Sequence, residues 1–154
     1  MEIPARLPPQ GGRERQPGRI LGVDLGTRRV GLALTDSLQV ISSPFTTIPM
    51  SSEDALAERL LQICSEHDVR TVVIGLPMSA DGSEGPGCIR ARRLAGILAS
   101  SGIRAELQDE SWSSRDAEKI LRDMGKTRRA AKEKIDAIAA SLILRDFLEA
   151  SSLT

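Results

Sequence analysis

Aromatic residues are nearly missing from this chain of 154 residues, which has no tyrosine, two phenylalanines and one tryptophan. Its core must therefore be built from Leu, Ile, Val and Ala. Cys64 and Cys88 are too few for a disulfide framework, and with the single His67 they supply no zinc-binding set. An excess of either charge is also lacking: 21 basic residues balance 21 acidic ones, so no overall field draws the chain toward polyanions. Any nucleic-acid contact has to come from local patches. The longest apolar run, near Ile135 to Leu144, is interrupted by polar residues and too short to span a bilayer, and no secretory segment is visible. The chain reads as cytoplasmic, without a membrane partner.

What is present fits one globular domain. Hydrophobic residues make up 40% and charged residues 27%, and the length allows one substantial core. Residues 1–18 carry Pro4, Pro8, Pro9, Pro17 and scattered Arg without apolar periodicity, so a disordered tail is expected there. The folded domain is expected over 19–149, with a short tail over 150–154.

The organising stretch is Arg19 to Thr35, RILGVDLGTRRVGLALT. Ile20 to Val23 reads as a buried strand, Gly26-Thr27-Arg28-Arg29 as a turn, and Val30 to Leu34 as the returning strand. Asp24 sits at the mouth of this hairpin. A carboxylate after a strand buried on both faces is costly unless compensated. Either the turn amides of Gly26 and Thr27 bond it, or a cation does.

Further along, Gln39 to Ile41 reads as a short strand between turns, and Phe45 to Ile48 as a third strand closing an antiparallel meander. Ser51 or Ser52 can cap a helix carrying Leu56, Leu60, Leu61 and Ile63 at helical spacing and ending near His67. Thr71 to Leu76 is a β-branched run with the look of a central parallel strand. It stops at Gly75-Leu76-Pro77, and a polar loop over 77–87 with Asp81, Gly82 and Glu84 follows. Ligands bind beyond the carboxyl ends of strands in open α/β sheets, so this loop is either a site wall or a solvated connector.

A helix from about Ile89 to Ser100 comes next, then a strand from Ile103 to Gln108 that delivers Asp109-Glu110. Ser113 or Ser114 can cap a helix over 115–124. The segment GKTRRAAKEK, Gly125 to Lys134, is the strongest positive patch, with Lys126, Arg128, Arg129, Lys132 and Lys134 against Glu133. It is either a solvated helix start or an arm for a polyphosphate. In the last helix, from about Ala131 to Glu149, Asp136 lies among small and apolar residues. Lys132 or Lys134 neutralises it, or it faces a metal at the sheet edge. Carboxylates from distant parts of a chain, here Asp24, Glu110 and Asp136, can converge on Mg²⁺ or Mn²⁺, which prefer hard oxygen ligands.

The element order βββαβαβαα, with GVDLGTRRVG, VVIGLP, ADGSEG, QDESWSS and KIDAIAASLIL, closely resembles the YqgF (RuvX) family. These are RNase-H-like proteins described as Holliday-junction resolvases and as nucleases that mature the 5′ end of pre-16S rRNA. The resemblance covers Arg19 to about Leu148. It implies an α/β fold with a five-stranded mixed sheet, strands one to three antiparallel and the remainder parallel, flanked by helices. It puts the family's acids on Asp24, Glu110 and Asp136, and its Gly-Leu-Pro turn on Gly75, Leu76 and Pro77. Ser111 stands where the family usually has Arg, Ser79 where it usually has Asn, and Trp112 replaces an aliphatic residue. A serine cannot supply arginine's fork of donors, though Arg28, Arg29 or Arg115 could substitute.

The resemblance implies a metal-dependent endonuclease for structured RNA, such as pre-16S rRNA in a ribosomal precursor particle, or for branched DNA. Arg28, Arg29, Lys126, Arg128, Arg129, Lys132 and Lys134 would grip the backbone. Two other classes stand beside it. One is a nucleic-acid-binding assembly or transcription factor without catalysis. The other is a nucleotide phosphotransferase, since Asp-Leu-Gly-Thr also matches a phosphate turn, although one chain of this length supplies only one of the two lobes such enzymes need.

Overall fold

The strand at the centre of the sheet is apolar on both faces, and helices cover both. A computed structural model describes residues 17–79, 81–109 and 128–152, with side chains described over 134–151 of the last stretch. Its elements are β1 (Arg19–Leu25), β2 (Arg29–Thr35), β3 (Ser42–Pro49), α1 (Glu53–Glu66), β4 (Val69–Leu76), α2 (Pro86–Ser100), β5 (Arg104–Asp109) and α3 (Arg128–Ser152). The five strands form one sheet in the order β3-β2-β1-β4-β5. β1 pairs antiparallel with β2, and β2 with β3, while β1–β4 and β4–β5 are parallel. This is the five-stranded mixed sheet that the family resemblance implied.

Alternation along the strands sorts side chains to the two faces. Leu21, Val23, Val30, Leu32, Val72 and Ile74 pack under α1 and α2. Ile20, Ala33 and Val73 pack under α3, against Ala140, Ile143, Leu144 and Phe147. Ser52 caps α1, its hydroxyl accepting from the Ala55 amide at 3.1 Å, and Leu56, Leu60 and Ile63 bury the inward stripe. Among the described residues, no helix is long and apolar enough to cross a membrane.

The helix α3 approaches the sheet most closely at one end. A Cβ on Gly31 would lie 1.9 Å from the Asp136 carbonyl oxygen, and one on Gly22 would lie 3.0 Å from that of Ala140. Small residues on both sides of that contact let the helix settle there. One to three turns further on, Ile143, Leu144 and Phe147 pack against the sheet with larger side chains.

The hairpin β2–β3 departs from the sequence reading. Gln39 to Ile41 is not a strand, and Ser42 to Pro44, read as a turn, already belongs to β3. The Asp36 carboxylate accepts from the Val40 and Ile41 amides at 2.8 and 2.9 Å, so those amides are committed to the turn and not to a ladder. Gln39 has φ +60°, and its side-chain amide donates to the Gly18 carbonyl at 2.7 Å. The pairing slips between Leu32 and Ala33, where Phe45 is the extra residue, and Pro44 is tolerated because β3 is an edge strand. Two boundaries also differ: α2 begins at Pro86, before the expected Ile89, because a proline suits the first helical turn, and the last helix begins at Arg128, before the expected Ala131. The expected helix over 115–124 lies outside the described residues.

Gly31→Ala should therefore destabilise by about 3 kcal/mol, because backbone must move to admit the methyl group. Gly96→Ala, on α2 with no atom within 4 Å of its Cβ site, should stabilise by about 0.5–1 kcal/mol. Urea unfolding of both variants checks the contrast. Burial pushes the Cys64 thiol from 9.0 up to about 11, and the thiol is the uncharged form. The unfolded chain thus loses this proton first, so stability from Cys64 is intact below about pH 9 and declines as pH rises toward 11. Native protein at pH 8 should leave Cys64 unalkylated by iodoacetamide, and urea should expose it; mass spectrometry reads both.

Candidate active site

Asp24 lies near the end of β1, where the apolar face gives way to half-buried positions. Its antiparallel partner on β2 is Gly31. On the other side Val23 pairs with Ile74, which brings Gly75 level with Asp24, and Gly75 pairs with Gln108 on β5. Gly31, Asp24 and Gly75 thus form one row across the sheet, an acid with no side chain on either flank. Directly opposed residues share a face. The Gly31 face meets the Asp136 backbone, so Asp24 projects toward the same side on which α3 carries Asp136.

The turn carrying Asp24 is fixed by partners the sequence did not reveal. The Gly26 amide donates to the Arg29 carbonyl at 3.0 Å, so it is not spent on the Asp24 carboxylate. Arg90 of α2 donates to the Gly26 carbonyl at 2.8 Å. The two residues are 64 apart in the chain, and no local pattern announces such a contact. The Arg28 carbonyl accepts from Met50 at 2.8 Å, and the Arg28 side chain is exposed.

Asp136 is compensated from an unexpected side. Arg29 Nε donates to its Oδ2 at 2.8 Å across 107 residues of sequence, where Lys132 or Lys134 was the expected partner. Helical spacing made a lysine on the same helix the nearest candidate, but β2 runs directly beneath this turn of α3. A groove of about 780 Å³ opens beside the pair between β3 and α3, lined by Arg29, Lys134, Pro44, Thr47, Pro49 and Ile138 among others. Lys134 is exposed.

The loop after β4 is bonded within itself. Met78 and Glu84 form an isolated antiparallel bridge, and the Ser79 amide donates to the Ser83 carbonyl at 3.0 Å. Asp81 accepts from the Ser83 hydroxyl at 2.6 Å and the Ser83 amide at 2.9 Å, bonds that hold its carboxyl below the usual range. Glu84 is likewise held low by Arg92, whose Nε donates to Oε1 at 2.9 Å. Asp81 and Glu84 thus shape the loop, with Gly82 at φ +83° completing its tight turn. Gly75 is buried, while Leu76 and Pro77 are half-buried at the carboxyl end of β4. Cys88 Sγ, on α2, donates to the Pro77 carbonyl at 3.3 Å and ties the turn to the helix.

Glu110 and Lys126 lie outside the described residues. Arg128, Arg129 and Lys132 fall on the first turns of α3, and their side chains are outside them as well. Among the described residues, no three His, Cys, Asp or Glu side chains form a metal-binding group. Asp24 and Asp136 nevertheless offer what a small divalent cation takes. They are hard carboxylate oxygens carried on one face of the sheet, the ligand type that such an ion prefers.

Comparisons with known proteins identify the family and the fold. A family model described as "RuvX: Holliday junction resolvase" matches residues 18–150. A protein from Chloroflexus aggregans, provisionally named a pre-16S rRNA nuclease, is 39% identical over 132 residues, 85% of this chain and 93% of the relative. One from Myxococcus xanthus with the same name is 40% identical over 133 residues, 86% of this chain and 88% of the relative. Among solved structures, Thermus thermophilus RuvC superposes with a TM-score of 0.55 at 12% identity, covering 88% of this chain and 97% of that one. RuvC in complex with a Holliday junction gives 0.52 at 13% identity, covering 86% and 94%, a likeness of fold. The chain belongs to the RuvX family of nucleases, built on a fold shared with RuvC-like resolvases.

Proposed function

We propose that this protein is a divalent-metal-dependent endonuclease whose Asp24, Asp136 and Glu110 hold Mg²⁺ or Mn²⁺. Its substrate on this reading is structured RNA, the 5′ end of pre-16S rRNA in a precursor particle, as the names of its relatives describe for them. The observation that carries the proposal is the row Gly31–Asp24–Gly75 with Asp136 standing over its first member. Two acids far apart in sequence are thereby carried on one face of the sheet, at a row whose other members are glycines. Glu110 follows Asp109, the last residue of β5, whose partner is Leu76 at the same end of the sheet.

Ions held there would supply activation of a water and neutralisation of the leaving oxygen. The protein's own share is positional. Arg90 and the Gly26–Arg29 hydrogen bond hold the Asp24 hairpin in place, and the packing of α3 on Gly31 fixes Asp136. Lys134 and Arg28, both with exposed or groove-facing positions, supply cations for phosphates, with Lys126, Arg128, Arg129 and Lys132 reserved for the same role. Branched DNA is the second substrate class, and the fold shared with junction-bound RuvC favours testing it.

Purified protein with Mn²⁺ should cleave a labelled precursor RNA or a four-way DNA junction, and Asp24→Asn should lower that rate at least about a hundredfold. Undiminished cleavage by the variant would refute this site. Asp136→Asn should abolish cleavage as strongly while costing no more than about 1 kcal/mol of stability, because its ion pair with Arg29 is partly exposed to solvent. A urea melt run beside the assay separates the two effects.

A further inference from the structure

Arg29 occupies two roles at once. It bonds the carboxylate of Asp136, and it lines the groove between β3 and α3. Its side chain is 41% exposed and that of Asp136 is 20% exposed, so the guanidinium is not locked in a core and can exchange partners. A guanidinium and a divalent cation placed on one carboxylate repel each other and compete for it. The same guanidinium, released, lines a groove together with Lys134, a pair of cations beside Pro44, Pro49 and Ile138. That lining suits one strand of a nucleic acid, with phosphates at the cations and sugar and base faces on the apolar wall.

We propose that Arg29 is a switch. It neutralises Asp136 in the metal-free protein, and when a divalent cation takes that carboxylate it turns to a phosphate of the strand lying in the β3/α3 groove. The inference rests on the metal-dependent nuclease reading and adds to it a coupling between ion and strand. The coupling is reciprocal: if the ion frees Arg29 for phosphate, then bound strand must also favour the ion.

Calorimetric titration with Mn²⁺ of the wild type, Arg29→Gln and Arg29→Lys tests the first half. Arg29→Gln should bind the ion about two- to fivefold more tightly, as the loss of one partly exposed competing ion pair dictates, and Arg29→Lys, which keeps the charge, should stay near the wild type. Equal or weaker binding by Arg29→Gln would overturn the switch, since Arg29 would then merely order Asp136. Absence of Mn²⁺ uptake by all three proteins would bring down the nuclease reading together with the switch.

The second half is read by anisotropy of a short fluorescent single-stranded RNA, with Ca²⁺ and without. Ca²⁺ should strengthen binding by the wild type and much less by Arg29→Gln. Without any metal, Asp136→Asn should bind the RNA more tightly than Asp24→Asn does. Both variants remove one negative charge, but only the first frees Arg29. Equal affinities for those two variants would overturn the proposal even if Mn²⁺ binds, and this comparison stands if Arg29→Gln fails to fold.

Discussion

The contact on which the rest depends is the seating of α3 on Gly31. With hydrogen as its only side chain, Gly31 lets the Asp136 carbonyl come to a place where a methyl group would be 1.9 Å away. That closeness sets the helix height over the sheet, and through it the position of the Asp136 carboxylate. Ala137, Ala139 and Ala140 keep the same stretch of helix slim, while Leu144 and Phe147 are buried further along it. A larger residue at position 31 would push this turn of α3, and Asp136 with it, away from the sheet.

Across both faces of the sheet, arginines tie elements together through carboxylates and a backbone carbonyl. Arg29 joins β2 to α3 through Asp136, Arg93 joins α2 to α1 through Glu53, and Arg90 joins α2 to the β1–β2 turn. Partly exposed pairs of this kind add little to stability in water. Their effect here is to tie turns and strands to the helices that face them. The zero net charge fits the same picture. On the proposed reading, cations placed locally at the groove would draw phosphates without a general attraction to polyanions.

Much of the fold was legible because local rules and tertiary structure agreed. The apolar stretches of β1 and β4, the Ser52 cap and the leucine spacing of α1 each report a short-range preference that the fold also satisfies. The hairpin after β2 was misread for the opposite reason. Val40 and Ile41 look like strand residues, but the Asp36 carboxylate takes their amides and leaves them 69% and 62% exposed, and Pro44 is accommodated by a bulge on an edge.

Sequence alone determined the strand-turn-strand frame around Asp24, the helical placement of Asp136 and the membership implied by the ordered motifs, since each depends on residues within a few positions of one another. Tertiary structure decided which cation meets Asp136, which side chain holds the Asp24 turn, and where a groove opens. Those choices join residues 64 and 107 positions apart, and only the pairing register of the sheet and the height of a helix above it bring such residues within bonding distance.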